Sequence, residues 1–222
     1  MLGGTQYGTI VVSNSGQRNF RLVTKNASGD RVEVGPSGCG GSLSIGALDG
    51  SLITGEQPCS AASFRTNGSL RTYVFKTPQA NQSTQFIFWR LTAPVRQITS
   101  VTSSVSGETS APQQSVVMEG RLGNNTQTTN NGQTMYIRYS DDNFLTSFVV
   151  AMVNNNNGTF TGNIPGEGLD EGETVKYYLF TSATSTTNPA VTAANADLRT
   201  ITYNNNGGSN FSFLVTGAAA VT

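Results

Sequence analysis

The chain has no histidine and only two cysteines among its 222 residues, and Asp, Glu, Lys and Arg together make up 12% of it. Each shortage excludes something. Without histidine, the common His-containing zinc sites and the Ser-His-Asp and Cys-His nucleophile systems cannot be assembled. An average soluble domain carries roughly 25% charged residues; here Ser, Thr, Asn and Gln take their place. Such a surface holds water by hydrogen bonding rather than ionisation, so its solubility depends little on pH or salt, which suits a protein outside the cell. Thirteen basic and thirteen acidic residues cancel. No run of Lys or Arg exists that could release counterions from a phosphate backbone, so nucleic acid is not an expected partner. The longest apolar run, Phe148 to Val153, falls far short of the roughly 20 residues a helix needs to cross a bilayer, and no membrane span is expected. Met1-Leu2-Gly3-Gly4 lacks the basic start and apolar stretch of a signal peptide, so a secreted form implies a leader removed or omitted.

What is present fits a globular protein with a normal core, since hydrophobic residues make up 36% and Gly adds 25 more positions. The length accommodates two sandwich-sized domains of about 100 residues each. Cys39 and Cys59 stand 20 positions apart. In an oxidising compartment they are expected to pair, and closing that loop contributes about 3 kcal/mol in the chain-entropy view; the alternative is two buried thiols. Six Asn-x-Ser/Thr sequons occur, at Asn26, Asn67, Asn81, Asn124, Asn157 and Asn210. An Asn-rich chain makes them by chance, so they carry little weight.

Short β-branched and aromatic runs bounded by Gly, Asn, Pro and Ser recur throughout, and no amphipathic helix stands out. In the first half these runs are Thr9–Ser13, Phe20–Lys25, Arg31–Val34, a short one starting at Leu43, Leu70–Lys76 and Gln85–Leu91. The last two carry Tyr73, Phe75, Phe86, Phe88 and Trp89 and are expected to be central. The segment 26–30 reads as a hairpin turn. Pro94 closes this half, placing the boundary near residue 96. In the second half, strands are expected at Ile98–Val105, Ser115–Leu122, Thr134–Tyr139, Ser147–Val153, Thr159–Ile164, Thr174–Thr181 and Asn210–Val215. In Thr134–Tyr139, Met135, Ile137 and Tyr139 share one face and Tyr136 and Arg138 the other. The Asn154–Gly158 and Gly166–Gly172 stretches read as turns, because Asn and Gly tolerate positive φ. Seven or so short strands at this spacing form the pattern of an immunoglobulin-like sandwich. The expected fold is all-β: two β-sandwich domains in tandem, residues 1–96 a sandwich or jelly roll and residues 97–222 immunoglobulin-like.

Three blocks of the second half, Met135–Ser147, Gly158–Pro165 and Gly172–Ser182, with the ending Tyr203–Phe213, follow a progression of Tyr-x-Arg-Tyr-Ser, Gly-Thr-Phe-Thr-Gly and Val-Lys-Tyr-Tyr. Residues 98–216 thereby resemble the fibronectin type III or immunoglobulin-like modules of secreted multidomain proteins of gliding Gram-negative bacteria. The resemblance implies architectural roles for Tyr136, Tyr139, Tyr177 and Phe180, a turn at Asp141-Asp142-Asn143, and a spacer, adhesive or carbohydrate-associated function. It does not extend to residues 1–96.

Candidate chemistry is sparse. Glycosidase action needs two carboxylates across a sugar-sized cleft. Asp141 with Asp142, or Glu167 with Asp170, Glu171 and Glu173, lie in turns without an aromatic surround, so enzyme activity is not expected. A Ca²⁺ ion takes oxygens from Asp, Asn and loop carbonyls, which makes Asp141, Asp142 and Asp170 the candidate ligands against a plain turn role. Sugar stacking needs an exposed aromatic platform; Trp89 and Tyr73 are the candidates, with Tyr7, Tyr177 and Tyr178 behind them, against core or interdomain packing for Trp89. Sheet edges offer self-association, through Tyr7–Val12 and Phe211–Val215. The expectation is therefore a non-catalytic, secreted or cell-surface structural or adhesive protein. Its partners are copies of itself or other surface-protein domains, and the alternative is a carbohydrate-binding module of a polysaccharide-active protein.

Overall fold

The computed structural model describes residues 6–12, 15–20, 22–25, 31–36, 42–43, 49–56, 62–67, 71–77, 85–91, 94–105, 108–109, 114–123, 132–183 and 190–217. Up to residue 91, and at 108–109, it is the strand backbone that is described, with side chains at Ile87 and Leu91. Cys39 and Cys59 lie outside the described residues, as does most of the expected loop before Gly132. The all-β class holds. Among the described residues the only helices are α1 (Ala196–Arg199) and a single 3-10 turn at Asn206–Gly208. The chain divides into two compact units, 1–95 with 183–190 and 197–199, and 96–182 with 191–196 and 200–222.

The first unit contains β1 (Gln6–Val12), β2 (Ser15–Phe20), β3 (Leu22–Lys25), β4 (Arg31–Pro36), β5 (Ser42–Leu43), β6 (Asp49–Glu56), β7 (Ala62–Asn67), β8 (Arg71–Thr77) and β9 (Gln85–Leu91). They form a six-stranded sheet in the order β1-β8-β9-β6-β4-β3 and a three-stranded sheet in the order β2-β7-β5. The hairpin expected across 26–30 pairs Leu22 with Val34 and Lys25 with Arg31. β8 and β9 are internal, as their aromatic content suggested, and β1 lies at an edge. β6 and β7 are additional to the strands expected from sequence, as is β2 apart from Phe20, the expected Phe20–Lys25 strand corresponding to β3.

The second unit contains β10 (Ile98–Ser103), β11 (Glu108–Thr109), β12 (Val116–Leu122), β13 (Gln133–Ser140), β14 (Phe148–Ala151), β15 (Val153–Asn154), β16 (Thr159–Ile164), β17 (Thr174–Ala183), β18 (Thr202–Asn204) and β19 (Phe211–Val215). One layer runs β10-β12-β16-β15, the other β11-β19-β17-β13-β14, with β18 added against β17. β11 pairs with β19 in parallel. Alternation along β12 buries Val116, Met118 and Leu122 while Val117 and Glu119 face water. These meet Met135, Ile137 and Tyr139 of β13, Val175, Tyr177 and Leu179 of β17, and Phe213 of β19 in one core. Each such large apolar side chain contributes roughly 1.5–3 kcal/mol on burial. Gly120 sits where the layers approach closely: a Cβ there would overlap the Met135 sulfur and Leu179 Cδ1.

β17 is buried on both faces. Tyr178 and Phe180 point away from the main core and form a second apolar cluster with Tyr136 and Ala196, flanked by Phe144, Val149 and Val191. Phe180 stacks on Tyr136 at 5.3 Å between centroids. Residues 191–196 thus lie across the outer face of the sheet that holds β17. This corrects the reading of Tyr177 or Tyr178 as an outward sugar platform: both are buried, one in each cluster.

A buried polar knot ties the entry of this unit to the second layer. The fully buried Gln133 amide accepts from Arg96 N at 2.8 Å and donates to Arg96 O at 3.1 Å and Thr181 Oγ1 at 2.9 Å. Thr202 Oγ1 donates to the same Arg96 carbonyl at 3.1 Å and lies 2.7 Å from Thr181 Oγ1. Polar groups this deep are tolerated because each has partners.

Two outcomes follow for urea unfolding of the second unit. Gly120→Ala forces a methyl into the interface between layers and lowers stability by about 1–3 kcal/mol. Gln133→Leu takes away the side-chain acceptor of the Arg96 amide and one donor each from Arg96 O and Thr181 Oγ1, which keep their contacts to Thr202, and lowers stability by about 1–3 kcal/mol. Unchanged unfolding midpoints would contradict the close approach and the knot respectively.

Candidate contact surface

The turn joining β13 to β14 is built from its own polar side chains. Ser140 Oγ, fully buried at the end of β13, donates to Asp142 Oδ1 at 2.7 Å and accepts from the amides of Asp142 at 3.1 Å and Phe144 at 2.8 Å. The Asp142 carboxylate accepts from Thr146 N at 3.0 and 2.9 Å and from Thr146 Oγ1 at 2.7 Å. Donors converging on one carboxylate favour its charged form. The Thr146 hydroxyl, then the Ser140 hydroxyl and the Thr146 amide, lower the Asp142 pKa from 3.8 to about 2.

This mesh holds two consecutive residues in the left-handed region, Asn143 at φ 61° and Phe144 at φ 66°. Asn visits that region readily, whereas an aromatic residue there costs about 1–3 kcal/mol and needs its surroundings to impose it. The surroundings are visible. Phe144 packs against Tyr178 at 5.6 Å between centroids, and Tyr178 OH accepts from Arg138 Nη1 at 3.1 Å. Arg138 Nε also donates to Ser147 Oγ at 3.0 Å, and Lys176 Nζ to Asn143 Oδ1 at 2.8 Å. With Phe144 drawn inward, its neighbour Leu145 is thrown outward and stands 89% exposed.

β14 and β15 continue this surface as one extended stretch at the rim of both layers. β14 pairs with β13 and ends its sheet; β15 pairs with β16 and ends the other. The expected single strand Ser147–Val153 is therefore split at Met152, whose side chain is buried and whose amide donates to Met135 O at 2.9 Å. Five large apolar side chains are exposed among the described residues, and three of them, Leu145, Phe148 and Val153, fall within this stretch. Phe148 stacks on Tyr139 at 5.2 Å yet remains 52% exposed. No charged residue occurs from Asn143 to Gly166.

The other residues singled out by sequence are placed elsewhere. Asp141 adjoins Asp142 in the turn, and Asp170 lies in the turn before β17, where its amide donates to Glu173 Oε2 at 2.8 Å. Among the described residues no three His, Cys, Asp or Glu side chains group closely enough to hold a metal ion. Tyr73 and Trp89 lie on the neighbouring strands β8 and β9 but are not opposite one another: Tyr73 pairs with Arg90 and Trp89 with Val74. β19, which carries the Phe211–Val215 stretch expected to offer self-association, lies between β17 and β11, and β11 pairs with Leu214 and Val215. A two-residue strand such as β11 leaves too little pattern to be read from sequence.

The turn has a pH signature. An unfolded Asp142 titrates near 3.8 and the folded one near 2, so its contribution to stability is complete above 3.8 and is lost as pH falls through the lower value. The Phe144 and Thr146 amide resonances are expected to shift with a midpoint near 2 and to lose that transition in Asp142→Asn. A midpoint at the ordinary carboxylate value would show that Asp142 does not organise the turn.

No protein-family model, curated protein or solved structure matches the chain.

Proposed function

We propose that this chain is a non-catalytic structural or adhesive protein of the cell exterior, made of tandem β-sandwich domains, the second immunoglobulin-like, and that it works by contact along its sheet rims. The observation that carries the reading is the uncharged apolar rim from Leu145 to Val153, formed at the margin of a well-packed two-layer core. Large exposed apolar groups gathered in one place mark a surface that is covered in use.

The immunoglobulin-like assignment is supported by strand order. The layers β10-β12-β16-β15 and β19-β17-β13-β14 correspond to the ABED and GFCC′ arrangement of those sandwiches, and β11 crosses to lie parallel with β19. The exterior location is supported by the scarcity of charge and its replacement by hydroxyl and amide groups. A structural role is supported by what the best-placed polar groups already do. Asp142, Ser140 and Gln133 are committed to backbone and neighbouring side chains of their own unit.

Surface biotinylation of intact source cells, or recovery from the medium, tests the reading. The chain is expected to be labelled or released without lysis. Recovery only from the cytosolic fraction would overturn it.

A further inference from the structure

The outer margin of β14 has a defined set of free backbone groups. Residues of an antiparallel strand bond alternately to one side and the other. Met152 bonds to Met135 of the strand-β13 side, and the register pairs Val150 with Ile137 and Phe148 with Tyr139. Residues 148, 150 and 152 therefore bond inward, and the N–H and C=O groups of Val149 and Ala151 point away from β13. Among the described residues β14 has no second neighbour in its sheet, and Ala151 is exposed.

Natural sheets blunt such margins with charge, proline or a bulge. None occurs here: from Asn143 to Ile164 there is no charged residue and no proline, and the β13–β14 register is continuous. Antiparallel pairing of a strand with its own copy places each residue against residues of the same short segment, so a charge near the axis would lie beside its twin. An uncharged margin is free of that repulsion.

We propose that β14 is an assembly edge whose occupant is β14 of a second copy of this chain, antiparallel about a two-fold axis through Val150. In that register Val149 lies opposite Ala151 of the partner subunit, and Ala151 opposite Val149 of the partner subunit. Four backbone hydrogen bonds form, using the groups that face away from β13. The same axis brings Phe148, 52% exposed, to the end where the equally apolar Val153, 70% exposed, of the second copy lies. The contact is isologous and closes at two copies. It rests on the contact role proposed above, but its test is separate, because cell-surface labelling is independent of the mass of the chain in solution.

The experiment is sedimentation velocity on the full chain across a wide concentration range, with amide exchange alongside. The wild-type chain is expected to pass from one to two chain masses, and protection of the Val149 and Ala151 amides to rise with concentration. Ala151→Lys and Ala151→Glu each place like charges on facing diagonal positions and weaken dimerisation by about tenfold or more. Mixing the two restores it. Ala151→Pro removes an amide that β13 does not use and also yields monomer. Because Ala151 is exposed, near-ultraviolet circular dichroism of the Lys and Glu variants is expected to match wild type. A wild-type chain that stays monomeric, charged variants that dimerise as wild type does, or growth beyond two copies would each overturn the proposal.

Discussion

Strand β17 is buried on both faces, and the second unit is organised around that requirement. Val175, Tyr177 and Leu179 fill the space between the layers, while Tyr178 and Phe180 fill a second cluster outside them. A strand with one wet face needs only one opposing layer. This one needs a cover on the far side as well, and Val191, Ala196 and Phe144 supply it. The left-handed backbone at Phe144 follows from that need: the ring must reach Tyr178, and the turn bends to let it. Leu145 is exposed because its predecessor is not.

The polar chemistry is equally local. Around its Asn-rich turns this unit uses neutral amides and hydroxyls. Asn155 Nδ2 donates to Thr159 Oγ1 at 2.9 Å and Thr161 Oγ1 at 2.8 Å, and Asn157 Oδ1 accepts from Thr159 N at 2.9 Å. Such bonds fold each Asn-rich turn back on itself and satisfy backbone groups that would otherwise need water. They are indifferent to ionic strength, whereas exposed ion pairs are screened by it.

Much of the second unit was legible because its strands obey a period of two with one face apolar. β12 and β13 announce their inward residues by alternation alone, and the turns at Asn154–Gly158 and Gly166–Gly172 are marked by residues that accept positive φ, which Asn156, Gly158, Gly168 and Gly172 adopt. Adjacent Tyr177 and Tyr178 were the failure. Alternation sends them to opposite faces, and only the return of residues 190–196 shows that both faces are covered. In the first unit, β6 begins Asp49-Gly50-Ser51 and β7 contains Ser63, Arg65 and Asn67, so propensity favours turns where tertiary pairing makes strands. Of the contact surface, the apolar run Phe148–Val153 was visible. Its position at the rim of both layers was not, since the order of strands in a sheet is not a property of any one strand.

The Gln133 knot also decides how the second unit would resist being pulled. β10 lies at the margin of its layer and by itself could be peeled away one bond at a time. The backbone just ahead of it, at Arg96, is instead clipped to β13 and, through Thr181 and Thr202, to β17 and β18. A pull on the first residues of this unit therefore reaches the interior of the opposite layer as well as the margin of its own.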